Sequence, residues 1–251
     1  MPNHYFRFKQ FTIHQDQCAM KVTTDACLFG AWVAERVRRR EPGAGNPDIK
    51  DKKVLDIGAG TGLLSLMLAQ KTGFSIDAVE IDPLACEQAR ENISQSPWKD
   101  RVQVQNGDIR VMTFAQPFDF IISNPPFYEN ELKGPDEKRN IAHHGHALTL
   151  ADVFAITRKN LSEKGAFFLL LPYRRKQEAL NLAMSHGLLI MEQVSVRPTP
   201  LHPPFRLMLY GTIADNDIQP VPVMKELSIR NEKNEYSAPF TDLLRDYYLH
   251  L

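Results

Sequence analysis

The segment Val54-Leu55-Asp56-Ile57-Gly58-Ala59-Gly60-Thr61-Gly62 limits the fold more than any other stretch of this chain. An apolar strand runs into a turn with glycine at every second position. Leu63 to Gln70 then read as a helix. Glycine has no Cβ, so such a turn can take unusual dihedrals and let a ligand approach the backbone closely. In a doubly wound sheet a strand–turn–helix of this kind sits at the carboxyl edge of the strands, where ligands bind. The two periods keep alternating downstream. Strands are predicted over Ser75 to Ile81, Arg101 to Gln105, Phe118 to Ser123 and Ala166 to Leu171. Helices are predicted over Asp82 to Gln95, Thr149 to Leu161 and Tyr173 to His186. Asp82 with Pro83 and Thr149 are the expected helix starts, and Gly187 a stop.

Strands that alternate with helices mean a largely parallel sheet covered on both faces. Leu188 to Val196 and Arg206 to Ile213 follow each other with only the proline-rich Arg197 to Pro204 between them. They predict an antiparallel hairpin at one edge, and so a mixed sheet. The expected fold is α/β: a doubly wound, seven-stranded mixed sheet with a small N-terminal extension. The extension, residues 1–48, has a hairpin within Tyr5 to His14 and a helix from Thr24 or Asp25. The remainder, 49–251, is one domain, and Gly43 to Asp51 is read as a flexible joint.

The chain has 251 residues, enough to bury a core without disulfides or a metal. Its 30 basic residues equal its 30 acidic ones, which argues against a protein held to nucleic acid by bulk charge but leaves room for a local basic face. Cys18, Cys27 and Cys86 form no close pair and read as small core residues. No apolar run has the length of a membrane span, and the first residues lack a signal-peptide pattern. The expected address is the cytoplasm, with no membrane and no obligate protein partner.

A nicotinamide fingerprint would need a third glycine at position 63, which is Leu63. The pattern is G-x-G-x-G after an acid, and Asp56 suits a cationic ligand better than a pyrophosphate. Gly58, Gly60, Gly62 and Asp56 thus resemble the S-adenosylmethionine loop of the Rossmann-like methyltransferases. Glu80, at the end of the next strand, is placed to accept both ribose hydroxyls. Asp108 follows the third strand, and the resemblance implies that it contacts the adenine amino group of the cofactor.

Asn124-Pro125-Pro126-Phe127 follows the fourth strand, on the same edge. A planar amino nitrogen has its lone pair conjugated away and is a poor nucleophile. A site that methylates it must accept hydrogen bonds from the NH2 group. Asn124 offers a side-chain carbonyl and Pro125 a backbone carbonyl with no N–H. Pro126 stiffens the arc with Pro125, and Phe127 supplies a flat face for a base. No general base is needed before attack. The motif resembles that of methyltransferases acting on adenine N6, cytosine N4, guanine N2 and glutamine amides.

The wider chain resembles one group. Phe11-Thr12-Ile13-His14-Gln15, Met20 to Asp25, Leu28 to Trp32, Ser123 to Tyr128 and the Arg197 to Arg206 segment are similar to the bacterial tRNA1(Val) (adenine-37-N6)-methyltransferases. The resemblance spans essentially the full length. It implies methyl transfer to the adenine beside the valine anticodon, with Lys21 and Asp25 in a segment that closes over the methionine end of the cofactor. It implies the anticodon stem-loop as partner, with the adenine flipped onto Phe127 or Tyr128. Arg36, Arg38, Arg39 and Arg40, and Arg174, Arg175 and Lys176, form basic clusters that can track phosphates or simply be solvated faces. Arg139 lies with His143, His144 and His146 in a polar stretch read as a substrate loop; the histidines lack partners at zinc spacing, and no metal is expected. Arg206 and Arg197 face either the substrate or an edge strand. The alternatives are an amino-group methyltransferase acting on ribosomal RNA guanine N2, release-factor glutamine or DNA adenine, and a non-enzymatic cofactor-binding RNA assembly factor.

Overall fold

The computed structural model describes residues 4–41, 52–125, 148–215 and 221–251. The expected joint after Gly43, the motif from Pro126 onward and the polar stretch to His146 lie outside them.

Ten strands are described: β1 Tyr5–Arg7, β2 Thr12–His14, β3 Lys53–Ile57, β4 Ser75–Glu80, β5 Val102–Asn106, β6 Phe118–Ser123, β7 Leu161–Pro172, β8 Leu188–Arg197, β9 Arg206–Ile213 and β10 Val223–Ser228. The α-helices are α1 Thr24–Arg40, α2 Leu63–Lys71, α3 Pro83–Ser94, α4 Leu150–Asn160, α5 Lys176–Ser185 and α6 Ala238–Leu244. Strands β1 and β2 form the expected N-terminal hairpin. The other eight make one sheet in the order β10-β8-β9-β7-β6-β3-β4-β5. All neighbours are parallel except β9, which runs antiparallel to both β7 and β8.

The α/β class and mixed sheet are as expected, but the strand number is eight rather than seven. Strand β10 pairs with β8, so the hairpin strand does not form the edge. The first four residues of β10 are exposed, and only Leu227 is buried. An edge strand wetted on both faces carries no alternation for a sequence reading to detect. Helix α6 was likewise not foreseen; Ser237 caps it by accepting from the Phe240 N–H.

Alternation along β7 shows why the sheet is covered on both sides. Ala166, Phe168 and Leu170 join the core with α1 and α2, whereas Phe167, Leu169 and Leu171 join the core with α4 and α5. Side chains two apart share a face, so one apolar run supplies both layers. Phe8, Phe11 and Ile13 of the N-terminal hairpin belong to the α1 side of this core. The Lys9 N–H also donates to the Tyr247 carbonyl at 2.8 Å. All three cysteines are buried.

Candidate active site

The glycine turn is built from its own backbone outward. The N–H groups of Gly58 and Ala59 both donate to the Val79 carbonyl, at 2.9 and 3.1 Å, which docks the turn on β4. Gly58 and Gly60 have φ of 72° and 55°. A Cβ at either would meet no atom within 4 Å, so the space above the turn is open. Gly62 differs. At φ 79° it is the N-cap of α2, and a Cβ there would touch Ile93 and Ala89 of α3 at 3.5 and 3.6 Å. It serves the helix start and the packing of α3.

The carboxylates expected around the cofactor are placed less simply than the sequence suggested. Glu80 is 9% exposed. Its Oε2 accepts from the Gly60 N–H at 2.8 Å and its Oε1 from the Asp82 N–H at 3.0 Å. It therefore holds the turn, while each oxygen keeps a lone pair for a further donor. Asp56 is not at the surface of the site. It is fully buried, with Oδ2 accepting from Ser65 Oγ at 2.7 Å and Oδ1 left without a hydrogen-bond partner among the described residues. Burial pushes its carboxyl up to about 7; the charge of Glu80 adds to this and the Ser65 hydrogen bonds oppose it. Asp108 follows β5, but its carboxylate is gripped by Arg110 through Nε at 2.9 Å and Nη2 at 2.6 Å.

In front of the turn lies a cleft of about 580 Å³. Its walls are the segment from Met20 to Ala26, the turn from Gly58 to Thr61, Asn124 and Pro125 after β6, Pro172 to Arg174 after β7, and Pro204 to Arg206 at the start of β9. The structure thus brings Asn124 and Pro125 to the same cleft as Gly58 and Gly60, and Lys21, Asp25 and Arg206 join them. Asp56, Gly62, Glu80 and Asp108 do not line it. Pro126, Phe127, Tyr128 and Arg139 lie outside the described residues.

Lys21 lines the cleft, but its ammonium donates to the backbone carbonyls of Gln15 and Cys18. Asp25 and Arg206, expected to serve different ligands, instead meet each other: Arg206 Nε donates to Asp25 Oδ2 at 2.6 Å. Most of the basic clusters are similarly engaged. Arg36 pairs with Glu192, Arg39 with Glu35 at 2.9 Å, and Arg40 Nη1 donates to the Tyr210 hydroxyl at 2.7 Å. Arg175 pairs with Glu178 at 2.6 Å and Arg197 with Glu226 at 2.9 Å. Only Arg174 of its cluster reaches the cleft wall.

One structural residue escaped the sequence reading. Asn92, 1% exposed, donates through Nδ2 to the carbonyls of His14 and Thr61, both at 2.9 Å, and accepts from the His14 N–H at 2.8 Å. It ties the N-terminal hairpin to the glycine turn. Its signal was a polar residue on the same face of α3 as Ala85, Ala89 and Ile93.

Residues 45–182 match the family model described as the methyltransferase small domain. The chain is 38% identical over 256 residues to a tRNA1(Val) (adenine(37)-N6)-methyltransferase of Parabacteroides distasonis, covering 99% of each chain. It is 40% identical over 251 residues to one of Haemophilus influenzae, covering 97% of this chain and 98% of that one. Among solved structures, a predicted O-methyltransferase from Agrobacterium tumefaciens superposes with a TM-score of 0.64 at 15% identity, over 88% of this chain and 96% of the other. At that identity the likeness concerns the fold alone.

Proposed function

The chain belongs to the methyltransferase small-domain family and, within it, to the tRNA1(Val) (adenine(37)-N6)-methyltransferases, and we propose that it transfers a methyl group from S-adenosylmethionine to N6 of adenine 37 in tRNA(Val). The observation that carries this reading is the shared cleft: Asn124 and Pro125 stand across the same space as the open glycine turn.

The residues present suit the cofactor. The turn leaves room over Gly58 and Gly60, and acids stand at the ends of three adjacent strands, β3, β4 and β5. Glu80 has acceptor capacity left for ribose hydroxyls. Above about pH 7 the buried Asp56 adds negative charge near a site that must take a sulfonium, without lining the cleft itself. When bound, S-adenosylmethionine supplies an electrophilic methyl group on a positively charged sulfur.

The chain's own residues orient the nucleophile. Asn124 Oδ1 accepts one N6–H and the Pro125 carbonyl accepts the other. Both acceptors turn the nitrogen lone pair toward the methyl carbon. With the cofactor bound, attack by N6 would take its methyl group and leave the sulfur as a neutral thioether, and the surplus amine proton would pass to water, so no base is required of the chain. Pro126 and Phe127, next in the chain, are assigned to stiffening the arc and stacking the base; Tyr128 and Arg139 are assigned to the RNA. The partner is the anticodon stem-loop and the address the cytoplasm. Among the described residues no helix is long and apolar enough to cross a membrane.

The test incubates the protein with methyl-labelled S-adenosylmethionine and separate pools of tRNA, ribosomal RNA, DNA and protein. Label in tRNA, recovered as N6-methyladenosine after digestion, is the expected result. Label confined to another pool would discard the substrate.

A further inference from the structure

The cleft contains a charged pair that neither the glycine turn nor the Asn-Pro motif uses. Arg206 is the first residue of β9 and Asp25 lies in the first turn of α1, 181 residues away in sequence. Asp25 does not need Arg206 as a helix partner, because a carboxylate in the first turn already meets the positive helix end. The consequence falls on Arg206. Its Nε is taken by Asp25, and its guanidinium lies 5.7 Å from the centroid of the Phe205 ring. The remaining N–H groups, on Nη1 and Nη2, have no hydrogen bond among the described residues. The side chain is 34% exposed while its carboxylate partner is 12% exposed, so the fork is anchored from behind and open in front. The segment carrying it is fixed as well: Arg206 pairs with Pro172 of β7, and the Tyr173 N–H donates to the Phe205 carbonyl at 3.0 Å. Among the described residues the cleft walls carry the cations Lys21, Arg174 and Arg206 and the anion Asp25.

We propose that Arg206 is a phosphate-binding residue for the RNA strand beside the target adenosine, with Asp25 as the positioning residue that aims it. A planar guanidinium with two free terminal amines matches two oxygens of a phosphodiester. An anchor at Nε removes the rotamer freedom that such a contact would otherwise have to overcome. Asp25 thereby serves the substrate side of the cleft rather than the cofactor. The assignment rests on tRNA being the substrate.

The test compares wild type with Arg206→Gln, Arg206→Lys, Asp25→Asn and the Asp25→Asn/Arg206→Gln pair. It measures KM and kcat for tRNA, tRNA binding across a salt series, and cofactor binding by calorimetry. Arg206→Gln should raise KM for tRNA roughly ten-fold. It should also lower the slope of log affinity against log salt by about 0.7, the share of one single-stranded phosphate. Its cofactor Kd should equal that of wild type, which also reports a folded site. Arg206→Lys should keep the slope but not the full affinity. Asp25→Asn should weaken tRNA binding roughly three-fold without changing the slope, and the double variant should match Arg206→Gln alone. A wild-type KM and slope in Arg206→Gln would overturn the phosphate role. A weakened cofactor Kd with unchanged tRNA affinity in Asp25→Asn would overturn the positioning role. Absence of transfer to tRNA by the wild type would instead remove the substrate reading, and this assignment with it.

Discussion

At pH 8 the Asp56 carboxylate is an anion sealed beneath the glycine turn, with one oxygen bonded to Ser65 and the other to nothing among the described residues. Burial moves its carboxyl from 3.8 to about 7. The folded chain therefore holds a proton there that the unfolded chain has released, between about pH 4 and pH 7. Stability falls with rising pH wherever the folded state binds more protons, at roughly 1.4 kcal/mol per pH unit for one group. Across about three units the ceiling is about 4 kcal/mol. The stability is fully present below the unfolded value and is lost as pH rises through the folded one. Asp56→Asn keeps an acceptor for Ser65 and cannot ionise. The cofactor-free variant should thus gain on wild type as pH rises from 4 to 7, and the advantage should be flat above. Urea denaturation of both proteins at each pH isolates this group, because the other titrating residues cancel in the difference. A difference that stays constant from pH 4 to pH 8 would show Asp56 ionised in the folded state, and would refute the reasoning.

Three further outcomes follow from the same site. Gly62→Ala should cost about 1–2 kcal/mol through its positive φ alone, since the added Cβ makes ordinary contacts; thermal melting checks this, and an unchanged melting temperature would contradict the strain. Glu80→Ala removes the acceptor for the Gly60 and Asp82 N–H groups and should weaken cofactor binding roughly ten- to a hundred-fold; calorimetry showing a wild-type Kd would remove Glu80 from the cofactor site. Asn124→Ala should lower kcat about a hundred- to a thousand-fold while leaving cofactor affinity intact, and full turnover in the variant would end the role given to Asn124.

Local pattern made much of this site legible. Strands β6 and β9 were bounded by the sequence as the structure bounds them. A buried strand, a glycine turn and a helix start are short-range features, and their residues sit next to one another in the chain. The same holds for Asn124 and Pro125, whose place at the carboxyl edge follows once β6 is known to be parallel to β3. Strand β10 was not legible, because a strand exposed at the sheet edge leaves no hydrophobic period. Asn92 was overlooked because a polar side chain on a helix does not announce which distant backbone it will satisfy.

The sequence alone determined the α/β class, the glycine turn and the acceptor motif, since burial period and turn chemistry are set by neighbouring residues. Tertiary structure decided where each carboxylate spends its lone pairs. Glu80 reaches back to Gly60, Asp56 is shut under the turn with Ser65, and Asp25 holds Arg206 from the far end of the chain. A charged side chain takes whichever donor the folded backbone brings within about 3 Å, and no spacing along the chain encodes that partner.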